Sequence, residues 1–424
     1  MKVLWLCNSP VIEENIKTTG SWLRPMAVAL SRVDDIELSV LVQSKTVKTT
    51  SIIAKNDISQ YFIPQRKTYC HGQIPSKKSI EDVKNIVNQV RPDLIHIWGT
   101  EQMWAYMNTM GCFGNIPTLL EIQGLLYAYV RYYYGGLTNT EILQSVHLKE
   151  LIMPWRSLYG KKYVFYKRGQ IEKKSIKSFD YIGYQSDWVK YHLQYLGSHA
   201  KLYNSKIILR DSFYESSWHY HFNGRHPIVY TMCSDAISYK GIHSLLKSIA
   251  LVRDKFPDVE LRIAGNMFVG NRLLDGYSIF LKKLISKLSL TSNVSFLGSL
   301  EEHEIVEDLK KADVCVMPSF VETYGVALAE AMIVGLPTIV GYSSGTACLS
   351  KHNVDVLFYN PIDYHMCAAY IEAFLEDVDL AERISRQAKI NRNKLNNKTD
   401  AVNNQIDIYK QIIRNNETLR SQKQ

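Results

Sequence analysis

"ADVCVMPSFVETYGVALAEAMIVG", residues 312–335, joins a short β-branched run to a longer apolar one. The first run ends at Pro318 and Ser319, and proline cannot continue a ladder of backbone hydrogen bonds. The second reads as a helix that starts at Tyr324 or Gly325 and ends at Val334, with Gly335 as its stop. Strand, short loop and helix in that order make half of a βαβ unit. The helix is apolar nearly all round yet contains Glu330, and an unpaired charge there would be costly. Glu322 sits in the loop before it. The amides of Tyr324 to Ala327 have no partner inside the helix and form the positive end of its dipole, suited to hydroxyl or phosphate oxygens. Glycine at 325 lets a ligand approach the backbone with no Cβ in the way.

The same alternation extends along most of the chain. In the first half the expected strands are "KVLWLCN", "ELSVLV", "DLIHIWG", "TLLEIQG" and "YIGYQS". In the second they are "PIVYTMC", "ELRIAG", "NVSFLG", "ADVCVMPS", "PTIVGY" and "DVLFYN". Such runs, apolar on both faces, suit parallel strands covered by helices. At 424 residues the chain exceeds one core. Between the two series lies "ILRDSFYESSWHYHFNGRHP", which has no periodicity. The expected architecture is therefore α/β, with one Rossmann-like domain over 1–222 and another over 223–400. A last amphipathic helix over 401–424 carries Ile406, Ile408, Tyr409, Ile412 and Ile413 on one side. In open sheets of this kind, ligands bind beyond the carboxyl ends of the strands.

Several function classes are excluded by what is missing. No G-x-G-x-x-G follows a strand, and no G-x-x-x-x-G-K-[ST] or G-x-S-x-G occurs. The seven cysteines are scattered, which fits free thiols in a cytoplasmic protein. "MKVLWLCN" is too short for a signal peptide and reads as a strand. The formal charge of +9 favours an anionic partner. In "YTMCSDAISYKGIHSLLK" a strand and loop lead to Lys240-Gly241 at a helix start. A cation is poorly placed there unless an anion lies between it and the dipole.

"PSFVETYGVALAEAMIVGLPTIV", residues 318–340, resembles the signature of the family 4 glycosyltransferases, and the likeness extends from about 228 to 360. The resemblance implies a retaining enzyme of the GT-B fold, with two Rossmann-like domains facing across a cleft. It implies a nucleoside diphosphate-sugar donor, with a UDP-sugar favoured, and no cofactor. Glu330 would hold the ribose hydroxyls, Glu322 the hydroxyls of the donor sugar, and the backbone of Tyr324, Gly325 and Val326 the sugar. Lys240 would steady the departing diphosphate. Gly20 stands where relatives have a glycine-rich turn near the donor phosphate. Two departures follow. Where many members carry Gly-Arg before the lysine, this chain has Ser234 and Asp235. Where relatives often have a histidine after a first-domain strand, it has Gln123 with Gly124, which can bind a donor but not exchange protons near neutral pH. His96 reads as a core residue. "DVD" at 377–379 lies between helical patterns and reads as solvated charge, so no metal site is expected.

By this reading the chain is a cytoplasmic transferase with a glycan or lipid-linked acceptor, serving cell-surface polysaccharide synthesis. The alternatives are a non-catalytic GT-B module that supports a partner enzyme, or a GT-B epimerase or phosphorylase. Residues 149–180 hold nine basic residues against three acidic, interleaved with Tyr and Trp. That composition points to the first domain docking on the anionic inner membrane leaflet. No nucleic-acid motif accompanies it.

Overall fold

The computed structural model describes residues 1–12, 23–267 and 275–421. The chain divides into two compact α/β units. The first comprises Met1–Ala128, Phe165–Ile208 and Asn396–Gln424; the second comprises Tyr129–Val164 and Leu209–Leu395.

The first unit holds β1 (Lys2–Cys7), β2 (Glu37–Ser44), β3 (Ser51–Lys55), β4 (Ile58–Pro64), β5 (Leu94–Trp98), β6 (Thr118–Glu121), β7 (Tyr181–Tyr184) and β8 (Lys201–Asn204). They form one sheet in the order β3-β4-β2-β1-β5-β6-β7-β8, parallel except that β3 runs against β4. β5 and β6 are buried at every residue, as strands covered on both faces must be. The β3–β4 hairpin was not among the expected strands. Its turn, Asn56-Asp57, has φ of 53° and 59°, the paired positive values that a two-residue hairpin turn requires. β3 is exposed throughout and closes the sheet as a short edge strand.

The second unit holds β9 (Ile228–Met232), β10 (Glu260–Ala264), β11 (Val294–Gly298), β12 (Val314–Met317), β13 (Thr338–Gly341) and β14 (Leu357–Tyr359). Their order is β11-β10-β9-β12-β13-β14, all parallel. These six are the strands read from the sequence.

The unit boundaries differ from the expected ones in two ways. The change of unit falls at Ile208/Leu209 rather than near residue 223, because Arg210 and Trp218 bond into the second unit. The segment Tyr129–Val164, expected in the first domain, also belongs to the second unit. His243 Nε2 donates to the Gly135 carbonyl at 2.8 Å, Lys247 pairs with Glu141 at 2.6 Å, and the Gly276 amide donates to the Glu150 carboxylate at 2.6 Å. The basic stretch 149–180 is therefore split between the units, and it is not one face of the first.

The last helix, Lys398–Ser421, belongs to the first unit. Ala401, Ile408, Tyr409 and Ile412 are buried among Val3, Trp5, Leu30 and Leu38. Tyr409 does more than fill space. Its hydroxyl accepts from Trp5 Nε1 at 2.9 Å and bonds His96 Nδ1 at 2.7 Å, all three groups being fully enclosed. His96 Nε2 lies 3.7 Å from the Glu121 carboxylate. Burial depresses the His96 pKa and pushes the Glu121 carboxyl up to about 8. No helix among the described residues is long and apolar enough to cross a membrane.

Replacing Tyr409 with Phe keeps the ring and removes the shared hydroxyl, which strips a partner from two buried polar groups. A loss of about 1–3 kcal/mol is expected. Denaturant unfolding measures it, and an unchanged midpoint would contradict a bonding role for the hydroxyl.

Candidate functional site

In the second unit the chain winds outward from β9 through β10 to β11, then returns to the other side of β9 as β12. This reversal makes the crevice beyond the carboxyl ends of β9 and β12 the place where a ligand fits. The loop after β9 runs to Lys240 and the loop after β12 runs to Gly325. They touch directly. The Phe320 amide donates to the Tyr239 carbonyl at 2.8 Å. Gly241, at φ 74°, lies so close to Pro318 that a Cβ would sit 2.0 Å from its carbonyl oxygen. Only glycine fits there, and it presents the preceding Lys240 to the β12 loop.

Lys240 Nζ donates to Glu322 Oε1 at 2.5 Å, the two side chains being 25% and 15% exposed. Burial disfavours the ammonium, but the adjacent Glu322 carboxylate outweighs it and raises the Lys240 pKa. Lys240 is therefore held protonated. Tyr129 and Tyr239 are buried beside the pair, ring to ring at 5.5 Å, and Thr323 bonds the Tyr129 hydroxyl. Burial pushes the Tyr239 hydroxyl up to about 12, so it stays neutral.

The helix that follows is Val326–Val334, with Gly325 at φ 79° before it and Gly335 at φ 95° after it. Its start carries no side-chain cap, and Gly325, Val326 and Ala327 remain partly exposed, whereas Tyr324 is buried. Leu328 to Val334 are all buried. Glu330 lies within that run and is itself buried, and its partner is Arg210. Arg210 Nε and Nη2 both donate to Glu330 Oε1, at 3.0 and 2.7 Å. The guanidinium also lies over the Phe213 ring at 4.5 Å. Burial raises the Glu330 pKa, and the guanidinium pulls it back.

Glu322, Lys240, Tyr324, Gly325, Val326 and Glu330 all lie in the second unit, on the loops after β9 and β12 and the helix that follows. Arg210 was missed, hidden in the stretch without periodicity. The signal for it was Glu330, since a carboxylate inside an apolar helix requires a cation. Gln123 and Gly124 follow β6 in the first unit and are partly exposed. The Gln123 side-chain oxygen lies beside Gly99, as does the Glu101 carboxylate, at the carboxyl end of β5. Asn8 bonds Glu101, and burial raises the pKa of that carboxyl. Sequence reasoning did not single out Glu101. Gly20 lies outside the described residues. Asp377, of the "DVD" triplet, accepts from the Leu380 amide at 2.9 Å and caps a helix. Among the described residues no group of three His, Cys, Asp or Glu side chains is arranged to hold a metal ion.

Residues 221–391 match the family model described as Glycosyl transferases group 1. The chain is similar to the uncharacterized glycosyltransferase YqgM of Bacillus subtilis, 27% identical over 177 residues, which is 42% of this chain and 47% of that protein. It spans less than half the length of the curated relatives it matches. Among solved structures, sucrose-phosphate synthase from Thermosynechococcus elongatus superposes with a TM-score of 0.73 at 16% identity, over 97% of this chain and 98% of that one. HepE from Anabaena, in complex with UDP and glucose, gives 0.66 at 16% identity, over 96% and 98%. The fold is GT-B.

Arg210→Met leaves Glu330 buried without its cation and should destabilise the protein by about 3–5 kcal/mol near neutral pH. A raised folded-state pKa makes this penalty grow as pH rises through the unfolded carboxylate value, and acidification relieves it by protonating Glu330. Adding Glu330→Gln should recover most of the loss. Thermal unfolding of the single and double variants across pH measures both effects, and a strictly additive pair would refute the coupling.

Proposed function

We propose that the chain is a retaining, metal-independent glycosyltransferase of family 4, moving a sugar from a nucleoside diphosphate-sugar to a hydroxyl of a glycan or lipid-linked acceptor. The observation that carries this reading is the double ion pair at the switch point of the second unit. Two carboxylates and two cations stand about a helix start that bears no side-chain cap. Carboxylate oxygens accept from vicinal hydroxyls, and cations and free amides receive phosphate.

In this reading the Glu330 oxygen not bonded to Arg210 accepts from the ribose diol, and Arg210 fixes the carboxylate that does so. Glu322 accepts from hydroxyls of the donor sugar, beside the Gly325 and Val326 backbone. Lys240, kept charged by Glu322, shifts part of its bonding to the diphosphate and steadies the negative charge that develops as the bond to the anomeric carbon breaks. The acceptor oxygen attacks the same face, and its proton passes to the departing phosphate oxygen, so no protein base is required. A UDP-sugar is the favoured donor, a reading supported by the UDP and UDP-glucose held in the HepE structures. A membrane-held acceptor for cell-surface polysaccharide suits the basic, apolar-studded stretch near residue 150.

Incubating the protein with a panel of UDP- and GDP-sugars, and following release of nucleoside diphosphate, tests the proposal. One donor should be turned over, and the anomeric configuration should be retained by NMR. Glu330→Gln should chiefly weaken donor binding, whereas Glu322→Gln and Lys240→Ala should chiefly slow turnover. Each should cost on the order of 2–4 kcal/mol if the site excludes water. Folded variants with near-normal turnover would refute the assignment.

Turnover should also survive excess chelator, because Lys240 supplies the charge a metal would otherwise bring. Loss on chelation, restored by added divalent ion, would overturn that part of the mechanism.

A further inference from the structure

Within the second unit, the segment that follows Tyr129 ends in two short helices, Leu148–Ile152 and Pro154–Arg156, and then enters a longer one at Leu158. Their outer side is strongly apolar. Leu148 is 74% exposed, Leu151 69%, Ile152 79% and Trp155 59%, with Tyr159 and Tyr163 exposed beyond them. A lone exposed leucine needs no explanation, but a continuous run of such side chains does.

The charges of this segment are sorted by sign. Both of its acids face the protein: Glu141 is paired with Lys247 at 2.6 Å, and Glu150 is buried, accepting from the Gly276 amide. Lys161 is likewise turned to Asp275. Among the apolar side chains stand Lys149, which is exposed, Arg156, which is partly exposed and itself in contact with the protein, and Lys162, which lies over the Tyr134 ring at 4.0 Å. Every charge on the outer side is positive.

We propose that residues 148–163 dock on an anionic lipid surface, with Leu148, Leu151, Ile152 and Trp155 entering the headgroup boundary and Lys149 and Arg156 meeting lipid phosphates. An apolar anchor and a basic flank are the two signals that reversible membrane binding requires, and Trp and Tyr suit the boundary because an apolar ring carries a polar tip. A second copy of the chain fits this surface poorly. A two-fold contact would lay the patch on itself and bring its like charges together. The proposal corrects the expected docking face from the first domain to a segment of the second unit, and it does not depend on the donor assignment.

Flotation with vesicles decides it. The wild-type protein should float with phosphatidylcholine vesicles containing phosphatidylglycerol, much less with phosphatidylcholine alone, and should be released as salt shortens the screening length. Lys149→Ala should weaken partition about fivefold, the loss of one cation near an anionic surface. Leu151→Ser combined with Ile152→Ser should weaken it on the order of tenfold or more, since each side chain forfeits its apolar burial. The double variant should keep its melting temperature and its nucleoside diphosphate release in solution, because these residues are exposed and lie outside the donor crevice. A wild type that stays down with anionic vesicles at low salt would overturn the proposal. So would a double variant that floats equally well, or one that loses self-association in place of flotation. None of these outcomes touches the donor reading, which fails only if no nucleotide-sugar is turned over.

Discussion

A carboxylate cannot stay ionised inside an apolar helix without a cation against it, and that constraint organises the second unit. Glu330 is buried in a helix whose neighbouring residues are all apolar. Arg210 meets it with two donors on one oxygen. Because Arg210 lies far back in the chain, just after the change of unit, the pairing fixes where the linking stretch 209–227 returns to the sheet. Trp218 repeats the attachment by donating its indole N–H to the Ala312 carbonyl at 2.7 Å. A charge that would otherwise weaken the fold becomes the reason the linking stretch is ordered.

The Lys240–Glu322 pair solves the same problem at the crevice mouth with a different outcome. It is less buried, with the Lys240 and Glu322 side chains 25% and 15% exposed. The backbone around it is fixed by close approach rather than by charge. Gly241 abuts Pro318, and the Phe320 amide bonds Tyr239. Two loops from neighbouring parallel strands thus behave as one wall, carrying a cation from one strand and a carboxylate from the other.

Much of this was legible because parallel strands buried on both faces leave an unbroken apolar run, as β12 does at every residue. The helix limits at Gly325 and Gly335 were legible for a local reason, since both positions require positive φ. Elements fixed by distant partners were not. The hairpin edge β3 is five residues long and exposed throughout, so it lacks the buried run that marks a central strand such as β12. The membership of Tyr129–Val164 rests on bonds to residues about a hundred positions away, such as Gly135 with His243 and Glu150 with Gly276. Arg210 and Glu101 escaped notice for the same reason. Neither lies in a periodic segment, and each acquires meaning only from the group it reaches in space.

The segment Tyr129–Val164 joins the two surfaces that matter most in the second unit. At one end Tyr129 is buried beside the Lys240–Glu322 pair, and at the other Ile152 and Trp155 stand exposed. Between them the segment is pinned to the unit at Ser238, His243, Lys247 and Gly276. The His243 contact is directional. A carbonyl can only accept, so Nε2 carries the proton and Nδ1 accepts from the Tyr277 hydroxyl at 2.8 Å. Burial lowers the His243 pKa to about 4, which keeps this neutral tautomer in place across the physiological range. A segment held this firmly transmits position. If its outer face rests on lipid, the Lys240–Glu322 pair beside its inner end is held at a fixed height above that surface.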